Sequence, residues 1–492
     1  MRVPWAAGGE PRLTADQQAA ATAFTAWLAS PADGAPFVLN GYAGTGKTFL
    51  SMEFLAQADA AGLCWTVVAP THKAVGVLRS HLAMAGLQAT WFPSTIHRLL
   101  RLKLKRQGDL ERCEETEQTA AALEHLGLVL IDEASMVDSN LLEIALRCAH
   151  PFRTRLVFVG DPAQLPPVGE PQSPVFAMGR AVQVQLSEVV RHQGPVLRLA
   201  SGLRSGNLPC AKPPVLPPIR SAAGQVALLD RSAWLLAAQD ALRRSAETDN
   251  PDLARILCYT NRSLEQLVPM ARRALHGEMA DQLPVLPGEV LMTRSAVMAP
   301  ACREGEDGGE EPDMVLGSNR ELVVRDVAPE RCDLADFGLA ALPGIGVPVI
   351  DTLTASVEAG ESQLHLRLLP PLGSEARKAL EAVLARLRQQ AKEAGKQEGK
   401  AIWRRFFLVR DAFASLGPAA VLTVHRSQGS TFSEVFVDGD VFWPPDPVLR
   451  RQLVYVAVSR ASQAVSLVAD GRGGDDLAAE RQRWRDWLQD GA

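Results

Sequence analysis

The sequence predicts an α/β fold in which parallel sheets carry a phosphate-binding loop. The run GYAGTGKT at residues 41–48 lies between a short apolar strand and a helical sequence, which is the expected setting of such a loop. Further apolar strands end in polar residues, and ligands of parallel α/β sheets bind at such strand ends. Because 492 residues exceed what one hydrophobic core usually organises, we expect roughly three or four domains.

Composition excludes several classes of protein. Hydrophobic residues make up 47% of the chain, yet the sequence has no apolar run long enough to cross a bilayer. The start MRVPWAAGGE lacks the layout of a signal peptide, so we expect a cytoplasmic protein. The seven cysteines are scattered without a CxxC pair, which disfavours zinc and iron–sulfur sites. The net charge of −5 decides little about nucleic acid, because a partner responds to the local field.

The loop carries the residue types that bind a nucleoside triphosphate. Its glycines allow left-handed backbone angles, which turn successive N–H groups toward an anion. We expect Lys47 to reach the β- and γ-phosphates and the Thr48 hydroxyl to bind Mg²⁺. A glycine-rich turn that matches by chance is the alternative. The predicted nucleotide-binding residues of the loop are Gly41, Ala43, Gly44, Thr45, Gly46, Lys47 and Thr48.

Polar residues at two later strand ends complete a hydrolytic set. The strand at 128–131 ends in Asp132 and Glu133, which we assign to the metal and to the attacking water respectively. The strand at 155–159 is followed by Gln164, which can sense the γ-phosphate. Upstream of the loop, Gln17 lies on a helix predicted to start after Thr14. Its amide suits the edge of adenine, although a surface glutamine is the alternative.

A basic hairpin interrupts the α/β alternation. Residues 100–105 alternate leucine with basic residues and predict a strand with one solvated face, and residues 107–109 supply a turn. The basic face comprises Arg101, Lys103 and Lys105, and Gly108 lies in the turn. An exposed hairpin without function is the alternative interpretation.

The later part of the chain contains a long insertion. A strand at 255–259 is followed by a helix, and the remaining strands of that domain are predicted only at 420–424 and 434–437. Within the gap, residues 287–292 and 321–325 read as short strands. Residues 375–398 predict one long amphipathic helix.

In order, the runs GYAGTGKT, APTHKAV, STIH, IDEAS, VGDPAQLPPVG, LSEVVRH, CYTN, TVHRSQGSTF and YVAVSRA resemble superfamily 1B helicases of the RecD/Dda branch. The resemblance implies an ATP- and Mg²⁺-dependent motor that moves 5′ to 3′ on single-stranded DNA. It implies two RecA-like P-loop motor domains with parallel sheets, a small β-hairpin insertion in the first and an SH3-like β-barrel insertion in the second. The expected domains are 1–180 with the hairpin at about 95–125, then 181–280 with 417–492, and the insertion 281–416.

The resemblance also assigns residues. Gln17 matches the glutamine that recognises adenine. Arg191 and Arg460 match the two arginines that contact the γ-phosphate from the second motor domain, and Gly429 is expected in the ATP site. We expect the hairpin to be the pin that separates strands at a single- to double-strand junction, in a protein that acts as a monomer. The residues assigned to the single strand are Pro70, Thr71, His72, Thr95, His97, Asn261, Thr423 and His425.

Three alternatives stay open at this point. One is a translocase that strips proteins from single strands without separating duplexes. Another is a nucleic-acid-binding switch whose ATP cycle only gates attachment, and the complete set of hydrolytic residues argues against it. The third is an RNA track, since backbone contacts distinguish RNA from DNA only at the 2′-OH.

Overall fold

The computed structural model describes residues 13–107, 110–188, 194–298, 314–339, 348–360, 362–469 and 478–489. They form two compact units. The first comprises residues 1–103, 113–267 and 421–492, and the second comprises 104–112 and 268–420. No helix in these ranges combines the length and apolar character that a membrane span requires.

The first sheet lies in residues 13–188 of the chain. The helices of this region are α1 (Ala15–Ala29), α2 (Lys47–Ala60), α3 (His72–Ala85), α4 (Ile96–Leu99) and α5 (Ser139–Ala149), and its strands are β1 (Phe37–Gly41), β2 (Trp65–Ala69), β3 (Ser94–Thr95), β4 (Lys103–Gln107), β5 (Leu110–Glu114), β6 (Leu128–Ile131), β7 (Arg155–Gly160) and β8 (Val182–Leu186). Six of these strands form the sheet, all parallel, in the order β3-β2-β6-β7-β1-β8.

Both faces of the first sheet are covered. Val38 and Leu39 are consecutive and fully buried, yet they belong to different core clusters. Successive strand residues point to opposite faces, so a run of apolar residues is the pattern that a sheet covered on both sides requires. Strand β8 pairs in parallel with β1, so the first sheet extends past residue 180, where the sequence placed the start of the second domain.

The second sheet also lies in the first compact unit. The elements of this region are α6 (Pro195–Ser205), β9 (Leu216–Ser221), β10 (Gly224–Leu229), α7 (Arg231–Glu247), β11 (Ala254–Cys258) and α8 (Asn261–His276), followed after the second unit by β19 (Val421–Thr423), β20 (Phe432–Val437), α12 (Pro447–Ser459), β21 (Ala461–Val468) and α13 (Ala478–Gln489). The strand order is β19-β11-β20-β21-β10-β9, and the strands are parallel except β9, which pairs antiparallel with β10. The α/β class is confirmed, whereas β9, β10 and β21 were not predicted.

The second compact unit contains α9 (Met279–Gln282), β12 (Val290–Thr293), β13 (Val297–Met298), β14 (Met314–Leu316), β15 (Glu321–Asp333), β16 (Val349–Ala359), β17 (Ser362–Arg367), α10 (Glu375–Glu393), α11 (Lys396–Asp411) and β18 (Leu416–Pro418). Five of these strands form an antiparallel sheet in the order β17-β16-β15-β12-β18. Because β18 belongs to this sheet, the sheet extends past the boundary predicted at residue 416.

Two sequence predictions in these regions need correction. The single helix predicted at 375–398 is two helices, because Ala394 and Gly395 both take extended backbone angles and separate α10 from α11. The strand predicted at 100–105 begins only at Lys103. Leu100 follows helix α4 and is buried, and Arg101 adopts a left-handed conformation with φ of 54°.

Helix α8 continues past residue 267 into the second unit, where a buried ion pair holds its end to the start of the inserted sheet. The Arg272 side chain donates to both carboxylate oxygens of Glu289, at 2.8 and 3.1 Å, and to the backbone oxygens of Ala280 and Leu283. Glu289 is only 1% exposed and also accepts from the Leu286 N–H group. The network therefore depends on both charges being present.

We predict that Arg272→Met destabilises this region by about 3–5 kcal/mol, because it leaves the Glu289 carboxylate buried without its partner. The measurement is hydrogen exchange of peptides from residues 268–298. The control is Arg331→Met, which breaks an ion pair whose side chains are 78% and 77% exposed and should cost less than about 1 kcal/mol. Equal effects of the two substitutions would contradict the prediction.

Candidate active site

The phosphate loop lies between β1 and α2, as the sequence predicted. Gly44 and Gly46 take positive φ angles of 83° and 87°, and Gly46 caps the N-terminus of α2. The Lys47 ammonium donates to the backbone oxygens of Gly41 and Tyr42, at 2.7 and 3.0 Å. The cation that would bind phosphate is thus directed into the loop.

The residues of the loop fit a polyphosphate. A Cβ atom at Gly41 would lie 2.7 Å from the Thr45 hydroxyl and 3.0 Å from Cγ of Lys47, so any larger residue would displace the loop. The helix N-terminus and the ammonium supply donors and positive charge for an anion. Thr48, in the first turn of α2, supplies the hydroxyl that suits a phosphate-bound Mg²⁺ ion.

Gln17 is buried rather than on the helix surface. It is 4% exposed, and its amide donates to the backbone oxygen of Thr45 in the loop at 3.0 Å. Its side-chain oxygen accepts from the Thr14 N–H group, while the Thr14 hydroxyl accepts from the Gln17 N–H group. This capping box fixes the start of α1 against the loop.

The two adjacent carboxylates follow β6 in a strained turn. Glu133 has a φ of 53°, a conformation that costs a residue with a side chain roughly 1–3 kcal/mol. Its N–H group donates to the Asp132 carboxylate at 2.9 Å. Burial, and then the Glu133 charge, raise the pKa of Asp132 to about 7. A divalent cation would favour the ionised form, so the pair is suited to hold one.

Arg460 connects the second sheet to this site. It ends helix α12, is 5% exposed, and donates to the Gln164 side-chain oxygen at 2.8 Å. Its guanidinium lies 3.8 Å from the Glu133 carboxylate and donates to the Ser430 backbone oxygen at 3.3 Å. The structure therefore brings together three residues that the sequence assigned to hydrolysis. Arg191, which the resemblance also assigned to the γ-phosphate, lies outside the described residues.

Sequence reasoning missed further links between the sheets. The Tyr455 hydroxyl on α12 donates to the Asp161 carboxylate at 2.6 Å and accepts from the Ala43 N–H group of the loop at 3.0 Å. The Gln428 amide donates to the backbone oxygen of Leu165 at 3.2 Å. Tyr455 stands in the run YVAVSRA, so the signal was present, but only the arginine of that run was chosen.

The candidate nucleic-acid residues of the first sheet lie at the ends of two adjacent strands. Ala69 of β2 is paired with Thr95 of β3, so the residues 70–72 lie near Thr95. The hydroxyls of Thr71 and Thr95 cap helices α3 and α4, by accepting from backbone N–H groups at 3.3 and 3.4 Å. Burial lowers the pKa of His97. Pro70 and His72 are half-buried.

The corresponding residues of the second sheet are also neighbours. Thr423 of β19 is paired with Cys258 of β11, and the exposed Asn261 begins helix α8 after β11. The His425 ring lies 6.2 Å from the Tyr259 ring, and burial lowers the pKa of His425. Each sheet thus has several of the candidate nucleic-acid residues together at the ends of its strands.

The remaining candidates are Gly429, which was assigned to ATP, and the four residues that were assigned to the hairpin pin. A Cβ atom on Gly429 would lie 3.0 Å from the Thr71 hydroxyl and from Ala74, which places Gly429 beside the candidate nucleic-acid residues. Arg101 precedes the hairpin strand, where its side chain donates to Gln118. Lys103 begins β4 and is exposed. The Lys105 side chain and Gly108 are outside the described residues.

Family models and individual proteins both match this chain. Residues 12–212 match the family model "AAA domain", and residues 418–468 match "UvrD-like helicase C-terminal domain". The ATP-dependent DNA helicase dda of Enterobacteria phage T4 is 26% identical, over 87% of this chain and 93% of that protein. The ATP-dependent RecD2 DNA helicase of Deinococcus radiodurans is 32% identical over 177 residues, which are 35% of this chain and 22% of that protein.

Among solved structures, the Pif1 helicase from Bacteroides in complex with ADP-AlF3 and single-stranded DNA is similar at a TM-score of 0.45. The two sequences are 14% identical, and the match covers 97% of this chain and 98% of the Pif1 chain. The sequence matches run through the loop, the carboxylate pair and the arginine that the structure brings together. By these matches the chain is similar to superfamily 1B helicases of the RecD/Dda type.

Proposed function

We propose that this protein is an ATP-dependent DNA helicase that moves 5′ to 3′ along single-stranded DNA. The observation that carries the proposal is the contact of Arg460, from the second sheet, with Gln164 and Glu133 beside the phosphate loop of the first. Because the hydrolytic set is complete only when both sheets contribute, hydrolysis can be tied to their relative movement. The T4 helicase similarity over most of both chains supports the same function.

In the proposed reaction, Lys47 and the loop N–H groups hold the phosphates of ATP. Thr48 and Asp132 would hold Mg²⁺, which neutralises phosphate charge. Glu133 accepts a proton from the attacking water and Gln164 orients it. The Arg460 guanidinium stabilises the charge that develops on the γ-phosphate, as we also propose for Arg191. Gln17 would read adenine, by exchanging its present hydrogen bonds for bonds to the base.

The DNA track would follow the strand ends of both sheets. The first sheet contributes Pro70, Thr71, His72, Thr95 and His97, and the second contributes Asn261, Thr423 and His425. Small hydroxyls, amides and imidazoles suit contacts to the sugar–phosphate backbone, which a motor must release and re-form regardless of sequence. Gly429 lies beside Thr71, so we now connect it with this track rather than with ATP.

We further propose that the five-stranded antiparallel sheet of the second unit is an SH3-like barrel. Strands β15 and β16 pair along most of their lengths, and β12 and β17 flank them. Helices α10 and α11 pack their apolar faces on one end of this sheet, where Cys332 and Ile350 are buried. We propose the β4–β5 hairpin, with Arg101, Lys103, Lys105 and Gly108, as the pin that separates strands.

The test of the proposed function is ATP-driven strand displacement on duplexes with one single-stranded tail. We expect displacement from a 5′ tail, at least about tenfold faster than from a 3′ tail, because a motor of one polarity moves toward the junction only from the 5′ tail. DNA and RNA versions of each substrate compare the two tracks, and Lys47→Ala is the inactive control.

Faster displacement from the 3′ tail would contradict the proposed polarity. Removal of streptavidin from a biotinylated single strand, without displacement of any duplex, would instead support a translocase that strips proteins. ATP turnover that does not depend on strand length would support a switch.

Shortening the hairpin by removing residues 107–109 should reduce unwinding severalfold, while DNA-stimulated ATP hydrolysis stays within about twofold of the original rate. Separating one base pair costs about 1–2 kcal/mol, and a rigid obstacle is needed to make translocation supply that energy. The control replaces residues 107–109 with Gly-Ser-Gly, which keeps the length of the turn. If the shortened protein unwinds DNA at the original rate, the hairpin is not the pin, and the alternative of an exposed hairpin without function would hold.

A further inference from the structure

Two side chains from the second sheet's domain contact consecutive residues of the phosphate loop. The Tyr455 hydroxyl accepts from the Ala43 N–H group at 3.0 Å. The Arg204 guanidinium lies 3.4 Å from the centre of the Tyr42 ring, a cation–π contact. Arg204 is in α6, which packs against β10 and α12 of the second sheet. The loop is therefore contacted from across the cleft at two adjacent positions.

Tyr455 makes a second bond that reaches the other side of the site. Its hydroxyl donates to one Asp161 oxygen at 2.6 Å, and the other oxygen of Asp161 accepts from the Ala163 N–H group at 2.9 Å. The Gln164 N–H group donates to the Asp161 backbone oxygen at 3.1 Å. Asp161 thus shapes the turn that presents Gln164 to Arg460.

The Tyr455 hydroxyl is suited to hold both bonds. Tyr455 is 1% exposed and Asp161 is fully buried. Burial, and then the Asp161 charge, raise the pKa of Tyr455, so its hydroxyl keeps the proton that it donates. A buried hydroxyl with one donor and one acceptor partner has its position fixed by both.

We propose that Tyr455 is a positioning residue that sets helix α12, and with it Arg460, in register with the phosphate loop and the Gln164 turn. Tyr455 lies near the C-terminal end of α12 and Arg460 is the C-cap residue of that helix, so one hydroxyl fixes the end of the helix that carries the guanidinium. Tyr455 acts through Arg460 and Gln164 and takes no part in the chemistry. This inference rests on the proposed function, because it concerns how DNA-dependent domain closure assembles the ATP site.

The test is steady-state ATP turnover by Tyr455→Phe with saturating single-stranded DNA. Phenylalanine keeps the buried ring and removes only the hydroxyl. We expect kcat to fall about tenfold, which corresponds to about 1.4 kcal/mol of transition-state stabilisation. The KM for ATP and the Kd of a fluorescent ADP should stay within about twofold, because the nucleotide is held by Lys47 and the loop rather than by closure.

Two further variants separate positioning from general loss of structure. Ser459→Ala removes a hydroxyl of α12 that donates within the same helix, to the Val456 oxygen, and should leave kcat within about twofold. Asp161→Asn disturbs the other end of the Tyr455 bond. The double variant Tyr455→Phe/Asp161→Asn should be no slower than the slower single variant, because both remove one shared interaction.

A kcat for Tyr455→Phe within twofold of the unmodified protein would overturn the inference. A tenfold rise in KM with unchanged kcat would also overturn it, since Tyr455 would then bind nucleotide. Additive losses in the double variant would do the same. Absence of DNA-stimulated hydrolysis in the unmodified protein would instead contradict the proposed function, so the two failures are distinguishable.

Discussion

The Arg460 guanidinium is almost completely removed from water, and its partners come from both sheets of the first compact unit. Glu133 and Gln164 follow strands β6 and β7 of the first sheet, and Ser430 precedes strand β20 of the second. A buried cation without such partners would cost several kcal/mol, so the two sheets must meet at this point for the arrangement to be stable. The carboxylate pair and the end of helix α12 meet at this contact.

The carboxylate pair shows how the site is prepared for charge that it does not itself supply. Glu133 adopts a left-handed backbone, and the pKa of Asp132 is raised to about 7 by burial and by its neighbour. Both features are unfavourable in isolation. A bound cation and phosphate would offset both costs, because the cation would favour the ionised form of Asp132 and the turn already holds Glu133 beside it. Preorganisation of this kind lowers the reorganisation that the reaction requires.

The parts that the sequence predicted are those determined by local pattern. The run at 41–48, the strands around it, and Asp132 at the end of β6 follow from apolar patterning and the needs of phosphate binding. The Tyr455 bond to Ala43 joins residues 412 positions apart, and no local pattern contains that pairing. The same holds for Gly429, whose position beside Thr71 depends on how the two sheets meet.

Other differences arose where a weak local signal competed with tertiary packing. The alternation at 100–105 is a strand pattern, but Leu100 packs in the core and Arg101 turns the chain before the strand starts. Residues 375–398 have a continuous helical pattern, but the chain reverses at Gly395 so that α11 can pack against α10. Strand β10 has four consecutive apolar residues at 226–229, and so short a run does not distinguish a strand from a helix by its period.

We propose that Arg460 acts on ATP from the second sheet's domain without holding DNA. The most direct measurement is ATP turnover by Arg460→Ala at saturating single-stranded DNA, together with its DNA dissociation constant. We expect Arg460→Ala to lower kcat by a factor of about 10²–10³ and to leave DNA affinity within about twofold. The control is Arg243→Ala on helix α7, whose arginine forms an exposed ion pair with Asp240. Unchanged turnover, or a loss of DNA affinity as large as the loss of turnover, would contradict the account.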